Sequence, residues 1–305
     1  MFDRLIGNEK FKKTLGEFIS CGKIPQAIII EGEAGLGKHI AAAYVAAAAL
    51  CKSEAKPCGE CNSCRTVFER NHTDVKYFVP EKSTFTVDMA RSVRSDAYLK
   101  PLTGDYNIAI LEHCELMNDE AQNALLKVLE EPPSSAMFIL LTENAGNFLT
   151  TVLSRCVLLR LIPLTNQEVS EYLEKVTGKS SQEIYGAVVL SEGNIGKALA
   201  LLDDGDTEEI KSLAKSFYSA FCDKNGIELL KCSYATERFE GRTGVLKLLY
   251  ENLFSELKSA SGDKKAELLA ATEAVGAAIA RLSANGNKAI VLNNMCSELI
   301  RATKL

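Results

Sequence analysis

The first strong pattern along the chain is the apolar run QAIIIE at residues 26–31, which ends at a glycine and predicts a buried strand. A glycine loop follows, and then an alanine-rich stretch that predicts a helix from Lys38 to about Ala49. Four further strands are predicted. They are TDVKYFVP (73–80), YNIAILEHCE (106–115), AMFILLTE (136–143) and the end of FLTTVLSRCVLLRLIPL, which opens with a short helix. Between them lie helical patterns at TVDMARSVRSDAYLK (86–100) and MNDEAQNALLKVLEEPP, the second stopped by paired prolines that cannot extend it. In that second helix Leu125, Leu126 and Leu129 share one apolar face, so they read as core. Strands alternating with helices imply a largely parallel sheet covered on both faces.

After Pro163 the period changes and stays helical to the C-terminus. Thr165 with Glu168 three residues on predicts a capped helix start. Breaks are expected near Gly178, Gly193, Gly205, Gly241 and Gly286, and LDDGDTEE reads as an acidic loop. The charged N-terminus, MFDRLIGNEKFKKTLGEF, predicts an amphipathic helix rather than a secretory leader. The fold class is therefore α/β plus all-α: a core over 1–163 and a helical remainder that divides near residue 208.

Composition narrows the function. The 305 residues are 47 % hydrophobic and 25 % charged, an ordinary globular mix. No apolar run reaches the roughly 20 residues of a membrane span, and the expected location is cytoplasmic. The net charge of −5 argues against strong DNA binding by this chain alone. With no Trp and 7 % aromatics, a base-stacking platform is a poor reading. No cluster of metal-binding carboxylates suggests nucleotidyl transfer.

The glycine loop carries the first candidate chemistry. In GEAGLGK, Gly32, Gly35 and Gly37 let backbone N–H groups converge on phosphates, the helix N-terminus adds partial positive charge, and Lys38 reaches the outer phosphates. The next residue normally supplies a hydroxyl to Mg²⁺. Here it is His39, a poor ligand for an ion that prefers oxygen. A hydrolysing site of this type also ends its third strand in Asp-Glu. Here Glu112 can stand in for the metal carboxylate, and His113 falls where the water-polarising carboxylate belongs. The loop can hold nucleotide, ATP included, or simply keep its shape with Lys38 solvated; hydrolysis is expected to be lost.

Ten cysteines are many, and Cys51, Cys58, Cys61 and Cys64 fall within 14 residues. Four thiolates at this spacing suit a closed tetrahedral zinc site with Gly59 at its turn, hence a structural one. Redox pairing, free thiols and an iron–sulfur cluster are the alternatives. A redox Cys-x-x-Cys starts a helix after a strand, whereas this cluster follows a helix. The other six cysteines read as small buried hydrophobes.

The glycine loop, the four-cysteine insert, AQNALLKVLEEPP and the SRC at 154–156 together make the chain resemble bacterial DNA polymerase III clamp-loader subunits of the AAA+ class. The resemblance covers residues 1 to about 205 well and the rest by position and length. It implies an AAA+ core over 1–163 with a zinc insert at 51–64, a helical lid over 164–207, and a helical collar over 208–305 that packs into a ring with other subunits. It implies tau/gamma and delta subunits as partners, with the sliding clamp and primed DNA met through the assembly. The hydrolysing tau/gamma motor has Thr after the loop lysine, Asp-Glu on the third strand and an arginine in the lid. This chain has His39, Glu112-His113 and, in GNIGKAL, Gly196, so it resembles the delta-prime type. The resemblance further implies that Arg155 is an arginine finger, stabilising phosphoryl charge in a neighbour's ATP site. The rivals are a surface ion pair for Arg155, an active motor of the tau/gamma type for the chain, and a zinc-dependent interaction module unrelated to replication.

Overall fold

A computed structural model describes residues 4–80, 84–203 and 206–303. Five parallel strands form one sheet: β1 (Ala27–Glu31), β2 (Val75–Phe78), β3 (Asn107–Leu111), β4 (Ala136–Thr142) and β5 (Val157–Arg160), in the order β2-β3-β4-β1-β5. Ile28 lies opposite Ile139 on one side and Val157 on the other, which fixes β1 at an interior position. Side chains alternate across the sheet. Ile28, Ile30, Ile108, Ile110, Ile139 and Leu141 enter one apolar cluster, while Ala27, Ile29, Ala109, Leu111, Phe138 and Leu140 enter another.

Helices cover both faces. On the first pack α1 (Glu9–Ser20), α2 (Lys38–Leu50) and α3 (Asn62–Phe68); on the second, α4 (Val87–Ala97), α5 (Asp119–Glu130) and α6 (Thr150–Leu153). The α2 alanines explain its place. Ala41, Ala42, Ala46, Ala47 and Ala48 are all buried, and their small side chains let the helix lie close over the sheet. Leu125 and Leu129 of α5 are buried as expected, and Leu126 is half-buried against the same cluster. Of the helix expected over the N-terminal segment, residues 1–3 lie outside the described residues; among those described it begins at Glu9, because Gly7 and Asn8 both take φ of 54° and interrupt it.

Residues up to Leu164 form one compact unit, and Thr165–Leu305 a second. The second contains α7 (Asn166–Thr177), α8 (Ser181–Leu190), α9 (Ile195–Asp203), α10 (Asp206–Cys222), α11 (Gly226–Arg238), α12 (Arg242–Ser259), α13 (Asp263–Ser283) and α14 (Lys288–Ala302), with no strand among the described residues. Thr165 and Glu168 make the reciprocal capping box, and Gly178 ends α7 at φ 68°. The break expected at Gly205 lies outside the described residues; α10 is already under way at residue 208. Val189 of α8 shares one apolar cluster with Ile210 of α10 and with residues of α11 to α14.

Candidate functional site: the phosphate loop and the cysteine knuckle

The loop from Gly32 to Gly37 joins the end of β1 to the start of α2, at the C-terminal edge of the sheet where open parallel sheets carry their ligand crevices. Gly35 and Gly37 hold φ of 88° and 90°, a conformation that disfavours any side chain. At Gly32 a Cβ would stand 3.2 Å from the Cβ of Leu161, so this turn has no spare room. Lys38 Nζ donates to the Gly32 carbonyl at 2.6 Å, which folds the lysine back over its own loop. Burial pushes the Lys38 amine down in pKa, and Glu143, Glu115 and Glu33 oppose that shift. Gly35, Gly37, Lys38, His39, His113 and Glu143 help line a cleft of about 270 Å³, near the small end of ligand pockets. The backbone thus suits a phosphate.

The same residues do not suit a magnesium ion. Glu112, the first residue after β3, is 4 % exposed. Its Oε1 faces His39 Nδ1 at 3.4 Å and accepts a close charge-assisted hydrogen bond from Arg70 Nη2. Burial lowers the His39 pKa, with Glu112 acting against it and Arg70 and Lys38 reinforcing it. His113, expected where a water-polarising carboxylate belongs, takes φ of 53°, and its Nδ1 meets Glu115 Oε1 at 3.1 Å. Glu115 in turn accepts the Glu143 N–H through Oε2 at 3.1 Å. Magnesium demands near-octahedral oxygen ligands. An imidazole where the hydroxyl belongs, and a carboxylate already held by a guanidinium, do not provide them.

Arg70 was not among the residues expected here. It sits two residues beyond α3, 42 positions before Glu112, at φ 56°. Its guanidinium also lies over the Tyr77 ring, 4.3 Å from the centroid. The α3 helix itself was not foreseen, because the cysteines drew the reading of this stretch to metal chemistry.

The four cysteines converge as the spacing predicts. Their sulfurs lie within 4.8 Å of one another, with Cys51–Cys58 at 3.7 Å, Cys58–Cys64 at 3.9 Å and Cys51–Cys61 at 4.0 Å. A tetrahedron of sulfurs about 2.3 Å from a central zinc has edges of about 3.8 Å, so this donor set fits the metal. Cys51 ends α2, Cys61 caps α3, and Cys64 lies inside α3, so the knuckle ties the two helices together. The turn at Gly59 takes φ 79°. The N–H of Cys61 points at Cys58 Sγ and that of Cys64 at Cys61 Sγ, both at 3.4 Å. Backbone N–H groups of Cys61 and Glu60 bring the Cys58 thiol down to about 6, favouring the thiolate a metal requires. Burial instead raises Cys64.

Among the remaining cysteines, Cys114, Cys232 and Cys296 are buried and Cys156 is half-buried, its thiol pushed up to about 12 by burial. Cys21 and Cys222 correct the expectation that all six are buried: both are exposed, at helix ends where little packs over them.

Arg155 lies between α6 and β5, away from the knuckle in sequence and paired within its own unit. Its Nη1 donates to the Thr151 carbonyl at 2.8 Å, and Nη2 meets Glu130 Oε1 of α5 at 3.1 Å. Its Nε is buried with no hydrogen-bond partner.

Comparison with known proteins adds the lineage. A family described as DNA polymerase III, delta subunit, matches residues 7–165. The delta' subunit of Haemophilus influenzae is 28 % identical over 67 % of this chain and 63 % of its own length. The delta' subunit of Escherichia coli is 30 % identical over 68 % of this chain and 63 % of its own. The tau subunit of Bacillus subtilis is also 30 % identical, over 66 % of this chain and 37 % of its own. The chain thus spans less than two thirds of the length of these relatives, and delta' and tau stand equally near in identity. With a phosphate loop at the edge of a β2-β3-β4-β1-β5 parallel sheet and a family match over half its length, the chain belongs to the DNA polymerase III delta-subunit family, the bacterial clamp-loader family that its motifs resemble.

Proposed function

We propose that this chain is the delta-prime-type subunit of a DNA polymerase III clamp loader, a member that does not hydrolyse ATP itself but lends Arg155 to a neighbouring ATPase subunit. The observation that carries the reading is the state of Glu112: the carboxylate that a motor subunit would give to magnesium is engaged by Arg70 and faced by His39. His113 adds to it, since its imidazole is directed to Glu115 instead of serving as the carboxylate that orients water. A motor of the tau/gamma type is the second reading, favoured by the equal identity to tau, and it conflicts with these three side chains.

Residues 164–207 would act as a lid and 208–305 as a collar that assembles with tau/gamma and delta subunits. Contact with the sliding clamp and primed DNA would run through that assembly in the cytoplasm, since a net charge of −5 gives this chain no strong pull on DNA. Gly32, Gly35, Gly37 and Lys38 would hold the phosphates of a retained nucleotide. Cys51, Cys58, Cys61 and Cys64 would hold a structural zinc that supplies rigidity and no chemistry. In the assembly, Arg155 would exchange Glu130 for phosphate oxygens of the neighbour's ATP. A guanidinium stays charged and offers several donors in one plane, which suits a developing phosphoryl charge.

Reconstitution tests the reading. The chain should co-elute with the tau/gamma and delta subunits of its own source, and Arg155→Ala should assemble normally while turnover falls at the site it faces. An arginine finger is worth about 10³-fold or more in the step it serves. Failure to assemble, or unchanged turnover, contradicts the proposal.

A further inference from the structure

The contact between Arg70 and Glu112 does more than block a metal. A bound nucleoside polyphosphate brings several negative charges into a cleft that already has Glu115 and Glu143 around Lys38. In a magnesium-dependent pocket the divalent ion offsets that charge and bridges the acidic residue after β3 to the phosphates. Here a fixed cation already sits on that acidic residue. We infer that Arg70 is the resident counter-cation of this pocket, taking the place of the divalent ion, so that a nucleoside di- or triphosphate is held free of magnesium.

Three features support this assignment. The first is position. Glu112 Oε1 touches both Arg70 and His39, and His39 lines the cleft directly after the phosphate-loop lysine, so one carboxylate separates Arg70 from the cleft wall. The second is chemistry. A guanidinium carries five donors in a rigid fork and stays charged, so it can hold Glu112 and a phosphate oxygen at once. Its side chain is half exposed. The third is anchorage. The Arg70 N–H bonds Val67 O at 3.0 Å and the Asn71 N–H bonds Thr66 O at 2.8 Å, closing the end of α3. Cys61 and Cys64 hold the other end of that short helix, and the Tyr77 ring supports the guanidinium from below. The arginine is thus delivered by a helix that the cysteine knuckle ties to the end of α2, whose start is the phosphate loop.

This inference rests on the reading that the loop retains a nucleotide, and the two can fail separately. Calorimetric titration of the full chain with ADP, in EDTA and in Mg²⁺, compares the wild type with Arg70→Met and Arg70→Lys. The wild type should bind equally well in both buffers. Arg70→Met should lose about tenfold in EDTA, the scale of one charge-assisted hydrogen bond, and recover with Mg²⁺. Arg70→Lys keeps a cation and should remain indifferent to Mg²⁺. Wild-type binding that tightens about tenfold with Mg²⁺ would overturn the assignment, as would an Arg70→Met variant indistinguishable from wild type. If the wild type takes no ADP in either buffer, nucleotide retention alone fails. The role of Arg70 is then read from Arg70→Met: magnesium-dependent binding gained there supports it, and none gained refutes it.

Discussion

His39 Nδ1 lies 3.4 Å from Glu112 Oε1, a direct contact between the residue after the phosphate-loop lysine and the residue after β3. In a hydrolysing pocket those two positions are bridged by a metal. Here they meet each other, with Arg70 on the same carboxylate oxygen.

That contact predicts the outcome of a simple reversion. His39→Thr restores the missing hydroxyl but leaves Arg70 on Glu112 and an imidazole at 113. Its phosphate release should stay at background in a coupled assay with Mg²⁺. Appreciable turnover from this one change would mean that Arg70 yields its place to the metal.

The sulfur geometry predicts about one equivalent of zinc per chain by elemental analysis of reduced protein, as four closed ligands require. Cys64→Ala removes a fully buried ligand, and its zinc content should fall close to zero with a clearly lower melting temperature. Metal-free protein that melts at the same temperature as fresh protein would remove the structural role.

Asp74, just before β2, should be a pH-sensitive fastening. Burial raises its pKa, but the Thr103 hydroxyl and the N–H groups of Leu102, Gly104 and Thr103 outweigh it and bring the carboxyl down to about 2. A carboxylate depressed on folding stabilises at pH above its ordinary value near 4, and that contribution disappears as pH falls toward 2. A shift of this size corresponds to about 2 kcal/mol. Asp74→Ala should cost about that much in urea unfolding at pH 7, and the difference from wild type should shrink steadily between pH 4 and pH 2. A constant difference across that range would assign the loss to packing instead.

The capping box of α7 was legible from Thr165 and Glu168 alone, and its removal should be correspondingly local. Thr165→Ala should cost about 1 kcal/mol by thermal unfolding. A loss several times larger would show that Thr165 does more than cap α7.

Much of the first unit could be read in advance because short-range rules govern it. Gly35 and Gly37 with Lys38 fix the loop, the isoleucines of β1 mark a strand buried on both faces, and Cys51 to Cys64 keep a ligand spacing that survives any detail of backbone. The pocket's charge balance was not readable. It depends on Arg70, a non-glycine residue at positive φ whose partner is 42 positions away and whose approach is set by the end of an unforeseen helix. In the second unit the helical period was plain, but the break before α11 was missed: Lys224 turns the chain at φ 52°, Asn225 caps the next helix, and the Asn225-Gly226 pair was the signal for it. The break before α13, where Gly262 takes φ 62°, carried a signal that a longer helical period masked.

On the proposed function, the pocket formed by Lys38, His39, Glu112 and His113 cannot bring magnesium and water together. The most direct measurement is inorganic phosphate release by the purified chain with ATP, Mg²⁺ and primed DNA, alongside Lys38→Ala. Both proteins should release phosphate at the same background rate. Brisk, DNA-stimulated release that disappears in Lys38→Ala would contradict it and make the chain a motor subunit.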